Sequence, residues 1–198
     1  MIKIAASCGI KIYAPRQSRV SFFNSPYLAH FEHRAVDIYP LSSKAPSPVE
    51  GRVRYIYEFS APKTKQFQMP TKEYLIAIET PISSEYLVRI LHVKPSVMVG
   101  DYVNVGEPLG EMIRNGHFDT WTDRHLHVEI RPCDNLLRAR GGLTIHLIFE
   151  GKSNDTDSTS IKTRCSMFTH NERTKLSEFM VKVLELKTCS DLAEVPIT

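Results

Sequence analysis

Apolar and polar residues alternate in short runs along the first three quarters of the chain, and Gly and Pro residues separate the runs. A period of two with this punctuation is typical of antiparallel β-strands. It predicts strands at the N-terminus, with Ile2, Ile4 and Ala6 on one face, and over residues 10–13, 49–57, 74–79, 86–93, 125–131 and 144–149. We therefore expect residues 1–150 to form one mainly β domain, an antiparallel sandwich or barrel.

The pattern changes beyond this region. Residues 151–160 (GKSNDTDSTS) contain no apolar side chain, which indicates a polar linker. Between Asn171, a residue type that caps helices, and Lys187 the apolar residues fall at helical spacing. Residues 151–198 are expected to form a linker and one amphipathic helix that packs on the β-domain, with self-association through this helix as the alternative.

Composition limits the classes of partner. The 198 residues have a hydrophobic content of 42% and a net charge of +3, as is ordinary for a soluble globular protein. The small charge and the scattered Lys and Arg residues argue against a nucleic-acid partner. No apolar stretch is long enough to span a membrane. The N-terminal segment lacks the features of a signal peptide, so a cytoplasmic location is expected.

The four cysteines do not have the spacing of a zinc knuckle. We expect Cys8, Cys133, Cys165 and Cys189 to be buried as small apolar side chains. A disulfide between Cys165 and Cys189 is expected only if the protein is exported.

Histidines and acidic residues supply the candidate chemistry. His125 and His127 lie on a predicted strand, where side chains two positions apart share a face at a spacing of about 6.6 Å. Glu129 shares that face and could orient one of the imidazoles, or could be a solvated carboxylate.

His33 and Asp37 would be about 13 Å apart in an extended chain, so the chain must bend between them. We expect His33 on a turn and Asp37 at the start of a strand. His92 ends an apolar run. Together these residues offer two imidazoles and one carboxylate for a zinc ion, and they leave imidazoles for proton transfer.

Several motifs occur in a recognisable order. Residues 33–37 read HRAVD, residues 47–51 SPVEG, residues 99–110 VGDYVNVGEPLG and residues 125–129 HLHVE, with His92 between the second and the third. They resemble the HxGxD, SPVDG, GDxVxxGxxIG and HLHFE motifs of the M23 metallopeptidases, the lysostaphin and LytM-type zinc peptidases. The resemblance covers about residues 30–132.

This resemblance implies an antiparallel β-sandwich of the duplicated hybrid motif type. It implies a zinc-dependent endopeptidase whose substrate is a peptide of the cell wall or a peptidoglycan-like peptide. The peptide bonds that such enzymes cut are often next to glycine. By the same resemblance, His33, Asp37 and His127 hold Zn²⁺, while His92 and His125 act on the attacking water and the developing oxyanion. Which of these two histidines is the base stays open.

The chain departs from the family pattern at two places. Ala35 stands where the family has glycine, and the bulkier residues 116–124 (GHFDTWTDR) precede the HLH triplet, so altered specificity is expected. In that segment His117, Asp119 and Asp123 are further ligand candidates of lower rank.

Two other functions are compatible with parts of the sequence. A non-catalytic binding or regulatory module of the same fold would not be expected to retain zinc. A biotinyl-like carrier would need a modifiable lysine at a hairpin tip, which residues 99–110 lack.

Overall fold

The computed structural model describes residues 1–23, 27–64, 68–118 and 122–148. Thirteen strands and one short helix form within these residues. The strands are β1 (Ile2–Ser7), β2 (Ile10–Ala14), β3 (Arg19–Ser21), β4 (Ala35–Tyr39), β5 (Lys44–Pro46), β6 (Gly51–Ser60), β7 (Lys72–Thr80), β8 (Ser83–Leu91), β9 (Val93–Pro95), β10 (Tyr102–Val103), β11 (Pro108–Met112), β12 (Leu126–Pro132) and β13 (His146–Leu147). The helix is α1 (Leu28–Phe31).

These strands form three antiparallel sheets around one core. The largest sheet has seven strands in the order β10-β6-β7-β8-β12-β4-β3, and two smaller sheets have the orders β13-β1-β2 and β5-β11-β9. Ile12, Ile90 and Leu109, one from each sheet, belong to the same cluster of buried apolar residues. The predicted mainly β, antiparallel fold is confirmed.

Strand alternation gives the large sheet one face in the core and one face at a cleft. Val36 and Ile38 of β4 and Val128 of β12 belong to the core cluster. Asp37 and His127, at the alternate positions of the same strands, line the cleft. The residues of candidate chemistry therefore leave the sheet on the side opposite the core.

The first strand departs from its predicted alternation. Its pairing with β2 shifts register between Lys3 and Ala5, and Ala5 is fully buried whereas Ala6 is only half-buried. A bulge adds one residue and changes the face of the residues that follow. The strand is thus confirmed, but the common face predicted for Ile2, Ile4 and Ala6 is not kept.

Other predictions differ at their ends or lie elsewhere. The strand predicted over residues 49–57 begins at Gly51 and continues to Ser60. Cys8 and Cys133 are exposed in turns, so the prediction that they are buried is wrong. The linker, the amphipathic helix and the two cysteines predicted within residues 151–198 lie outside the described residues.

Within the described part of the chain, no helix could cross a membrane. The helix α1 has four residues, whereas a bilayer span needs about 20.

Substitution of Ile130 measures how much the burial of strand β12 in the core contributes to the stability of the fold. The side chain of Ile130 is fully buried, so Ile130→Ala should lower the free energy of unfolding by about 2–5 kcal/mol. The matched control is Ile82→Ala, because Ile82 is 64% exposed and should change stability by less than about 0.5 kcal/mol. Urea denaturation measures both, and equal effects would contradict the assignment of Ile130 to the core.

Candidate metal and catalytic site

The pairing of β4 with β12 brings together two side chains that are far apart in sequence. Asp37 lies opposite His127 in the register of these strands. Both side chains therefore leave the sheet on one face. Nδ1 of His127 lies 2.8 Å from Oδ1 of Asp37.

His30 completes a group of three potential metal ligands with Asp37 and His127. One donor atom from each residue lies within 4.8 Å of the others. Nε2 of His30 is 3.1 Å from Oδ1 of Asp37, yet it is buried and has no hydrogen-bond partner. Its Nδ1 faces the backbone carbonyl of Phe22, which can only accept, so Nδ1 carries a proton and Nε2 is the nitrogen that faces Asp37. A cation between Nε2 and the Asp37 carboxylate could bind both atoms.

A short helical turn places His30, and not the predicted His33, in this group. The backbone N–H of Arg34 donates to the carbonyl of Ala29 at 2.7 Å and closes the end of α1. His33 follows with a φ of 58°, the left-handed conformation that is common where helices end. Its ring stacks on Phe23, with 4.1 Å between the ring centroids. His33 thus lies on a turn, as predicted, but outside the ligand group that forms among the described residues.

Glu129 determines which nitrogen of His127 faces the ligand group. Nε2 of His127 lies 2.9 Å from Oε1 of Glu129. Glu129 also pairs with the guanidinium groups of Arg89 and, at 3.3 Å, of Arg131. Because an ionised carboxylate only accepts, Nε2 carries a proton and Nδ1 is turned towards Asp37. Of the two readings of Glu129, the structure favours the one that orients an imidazole.

Burial and hydrogen bonds set the charges in this group. Burial alone would raise the pKa of Asp37, but the hydrogen bond with His127 and the nearby His30 ring lower it well below its usual range. Burial would lower the pKa of His127, but its bonds to Asp37 and Glu129 raise it to about 9. Burial would likewise raise the pKa of Glu129, but His127 and the two guanidinium groups lower it to about 2. A divalent cation must therefore displace a proton from Nδ1 of His127 in order to bind.

The residues of this group fit a zinc ion. Imidazole nitrogens and carboxylate oxygens are ligand types that Zn²⁺ accepts, and three protein ligands leave a position for water. His30 and His127 each have their second nitrogen at a protein acceptor, Phe22 and Glu129 respectively. Such acceptors orient metal-binding imidazoles.

A second buried carboxylate holds His92. Nδ1 of His92 lies 2.6 Å from Oε2 of Glu73, and its backbone N–H donates to Oε1 at 2.9 Å. The side-chain amide of Asn115 donates to Oε2 of Glu73 at 2.7 Å. Burial would raise the pKa of Glu73, but these bonds lower it to about 2. The His92 ring lies beside the ligand group, with 5.9 Å between its centroid and that of His127.

His125 is placed next to the same group by a different partner. Its Nδ1 lies 2.8 Å from the backbone carbonyl of Asp123, and its Nε2 lies 3.8 Å from Oδ2 of Asp37. The ring packs against Tyr39 and His92, with centroid distances of 4.9 and 5.0 Å. Burial is the main cause that lowers the pKa of His125 to about 4, so the ring is neutral at neutral pH.

These residues lie at a cleft of about 890 Å³. Its polar lining includes Asp37, Glu73 and the rings of His30, His92, His125 and His127. The rest of the lining is largely apolar and includes Tyr57, Phe59, Leu75, Leu91, Phe118 and Leu137. The cleft can thus receive a chain whose side chains are apolar beside a polar, hydrogen-bonding centre.

The lower-ranked ligand candidates do not join the ligand group. His117 lines the cleft, and burial lowers its pKa. Asp123 pairs instead with Arg19 and, at 3.7 Å, with Arg114. Asp119 lies outside the described residues.

Sequence reasoning missed His30, Glu73 and Asn115. The one available signal for His30 was its spacing of three residues from His33, which is compatible with one helical turn. Glu73 and Asn115 belong to no motif. The sheet register places Glu73 on β7 next to the end of β8 and so brings it to His92, and Asn115, which follows β11, donates to Glu73.

Comparisons with known proteins give a family and several similar folds. A family model described as "Domain of unknown function (DUF8155) N-terminal domain" matches residues 10–147. Among curated proteins, none matches this chain.

Three solved structures resemble it. The first is a mutant catalytic domain of the prophage-encoded M23 protein EnpA from Enterococcus faecalis, with 16% identity over 67% of this chain and 92% of that chain and a TM-score of 0.45. The second is a zinc-containing peptidase from Vibrio cholerae, with 21% identity over 70% of this chain and 39% of that chain and a TM-score of 0.38. The third is the antimicrobial peptidase lysostaphin from Staphylococcus simulans, with 19% identity over 65% of this chain and 48% of that chain and a TM-score of 0.37. The chain therefore spans less than half the length of the last two. At these identities and TM-scores, function must be argued from the site of this chain.

The choice between the two neighbouring histidines is directly testable. His30→Ala should remove a metal ligand and abolish the binding of about one zinc ion per chain, whereas His33→Ala should retain it. Metal analysis of both purified variants after zinc loading and gel filtration provides the measurement. Loss of zinc in His33→Ala together with retention in His30→Ala would restore the ligand set implied by the HxxxD spacing.

Acid should weaken the contribution of Glu73 to stability. Its pKa is about 2 in the folded protein against 4.5 in its ordinary state, so its stabilising effect is complete above about pH 4.5 and is lost as the pH falls through 2. This difference between the folded and the ordinary pKa of Glu73 corresponds to roughly 3 kcal/mol of unfolding free energy. The gap in unfolding free energy between the parent and Glu73→Gln should therefore narrow by about that amount between about pH 5 and pH 2. Urea titrations at the two pH values measure it, and a constant gap would contradict the low pKa.

Proposed function

The chain belongs to the family described as the domain of unknown function DUF8155, N-terminal domain, and we propose that it is a zinc-dependent endopeptidase. The observation that carries this proposal is the grouping of His30, Asp37 and His127 within 4.8 Å, with two further imidazoles beside them in an open cleft. A structural zinc site would be closed by a fourth protein ligand, whereas a hydrolytic site keeps one position open.

His30, Asp37 and His127 would hold the metal. When bound there, zinc would lower the pKa of a water molecule and polarise the scissile carbonyl. Phe22 and Glu129 hold the two imidazoles in the required orientation, through the carbonyl of the first and the carboxylate of the second. The buried position of Asp37 strengthens its electrostatic interaction with a cation.

His92 and His125 would transfer protons. In peptide hydrolysis the attacking water gives up a proton, the carbonyl carbon gains an oxygen, and the leaving nitrogen takes a proton as the C–N bond breaks. Both rings have Nδ1 at a protein acceptor, which leaves Nε2 as the atom for this exchange. Their centroids are 5.0 Å apart, so both can reach one reacting group.

The substrate would be a peptide that lies along the cleft. The apolar lining, with Tyr57, Leu91 and Leu137, suits the aliphatic parts of a peptide chain. The motifs at residues 33–37 and 125–129 resemble those of cell-wall peptidases, which supports a peptidoglycan-like peptide as the class to test first. Asp37, His127, His92 and His125 keep the roles implied by that resemblance, and His30 replaces His33.

The two catalytic histidines should be separable from the metal ligands. His92→Ala and His125→Ala should each keep about one zinc ion per chain and lose activity by about 10²–10⁴-fold, because proton transfer is lost while the metal stays. His117→Ala is the matched control, since His117 lines the same cleft outside the ligand group. The measurement is cleavage of a peptide library and of solubilised cell-wall peptides, followed by mass spectrometry.

The outcome for the parent protein decides between catalysis and a binding module. Zinc-loaded parent that cleaves peptides would support the proposal. Parent that binds no added zinc, or that binds zinc and cleaves none of these peptides, would refute the peptidase assignment and favour the non-catalytic module.

A further inference from the structure

Glu73 is a buried carboxylate, and both of its oxygens contact His92. Its side chain is 1% exposed. Oε1 accepts from the backbone N–H groups of Tyr74 at 2.8 Å and of His92 at 2.9 Å. Oε2 faces Nδ1 of His92 at 2.6 Å and accepts from Asn115 at 2.7 Å. Burial of an ionised carboxylate is costly unless all its acceptors are used, and here they are.

These bonds fix both the backbone and the ring of His92. The residue follows β8 with a φ of 69°, a left-handed conformation that is uncommon for a side chain other than glycine. Glu73 holds the N–H of this strained residue with one oxygen and the ring with the other. Because an ionised carboxylate cannot donate, Nδ1 must carry the proton and Nε2 is the free nitrogen.

The second histidine has no comparable support. Nδ1 of His125 faces the backbone carbonyl of Asp123, which is uncharged. Among the described residues, the carboxylate that pairs with Nε2 of His125 is that of Asp37, at 3.8 Å, and it belongs to the ligand group. Of these two histidines, only His92 therefore has behind its ring a carboxylate that does not belong to the ligand group. This carboxylate can stabilise a positive charge on the ring.

We propose that Glu73 is a positioning residue that makes His92 the histidine that carries the proton during peptide hydrolysis. This rests on the proposed endopeptidase function. Nε2 of His92 takes the proton from the attacking water, and the ring becomes a cation beside the Glu73 carboxylate. The carboxylate stabilises this charge without taking the proton. Nε2 then gives the proton to the amine nitrogen as the C–N bond breaks.

The first test is Glu73→Gln in the full chain loaded with zinc. The value of kcat should fall by about 10–100-fold, as expected when a partner that orients a functional imidazole is lost. KM and zinc content should stay within about twofold, because the cleft and the ligand group are unchanged. Glu79→Gln is the matched control, since Glu79 lies on the same strand as Glu73, pairs with Arg54 at 2.9 Å outside the cleft lining and should change neither constant.

A double-substitution cycle separates a role through His92 from a general structural role. If Glu73 acts through His92, Glu73→Gln should lower kcat in the parent and have almost no further effect in the His92→Ala background. Equal losses in both backgrounds would overturn the proposal, since Glu73 would then act on something other than His92.

A tautomer measurement does not depend on activity. In the zinc-loaded parent, the ¹⁵N resonances of His92 should show a proton on Nδ1. In Glu73→Gln the amide group can donate to Nδ1, so the proton should move to Nε2. A parent ring with its proton on Nε2 would overturn the proposal even if the enzyme is active.

The endopeptidase activity and the role of Glu73 can be tested separately. A parent without peptidase activity would remove both the proposed function and the role in proton transfer, while the resonances would still decide whether Glu73 sets the tautomer. An active parent with an unaffected Glu73→Gln variant would remove the role of Glu73 alone. If Glu73→Gln does not fold, Glu73→Asp replaces it, since its shorter carboxylate cannot bond both atoms of His92, and an unchanged kcat there would overturn the proposal.

Discussion

The register between β4 and β12 is the constraint on which the site depends. Asp37 and His127 are opposite each other in this pair, and a slip of either strand by one residue would turn its polar residue towards the core and place Val36 or Val128 at the cleft. The apolar residues on the core face therefore fix the position of the polar residues on the other face. A large buried area holds the geometry of a few atoms, without any need for those atoms to stabilise the fold.

Charges on the cleft face follow a second rule, which is that each buried ion has a partner. Glu129 is matched by Arg89 and Arg131, and Glu73 by His92 and Asn115. The result is a layer of fixed dipoles and charges around the imidazoles, which need not reorganise when charge moves during a reaction. The same layer makes the cleft face sensitive to single substitutions, because removal of one partner leaves the other buried and unpaired.

The sequence predicted what depends on periodicity and missed what depends on individual turns. The strand with His127 was predictable because its alternation is regular, and β12 covers Leu126–Pro132, with His125 directly before it instead of within it as predicted. His30 was not predictable, because a helix of four residues is too short to leave a periodic pattern. Glu73 was missed for another reason, since its partner His92 is 19 positions away and only sheet pairing relates them.

The two arginines behind Glu129 have a consequence for where this domain ends. Arg89 and Arg131 donate to the backbone carbonyls of Leu136, Arg138 and Arg140, in a segment that follows the last strand of the large sheet. This segment supplies hydrogen-bond acceptors to the buried cluster of Arg89, Glu129 and Arg131, and it is therefore part of the folded domain and not a spacer. A fragment cut just after β12 would retain every candidate ligand and proton carrier, and yet two guanidinium groups would lose their backbone acceptors and keep only Glu129. The smallest independently folding unit is therefore larger than its motifs suggest.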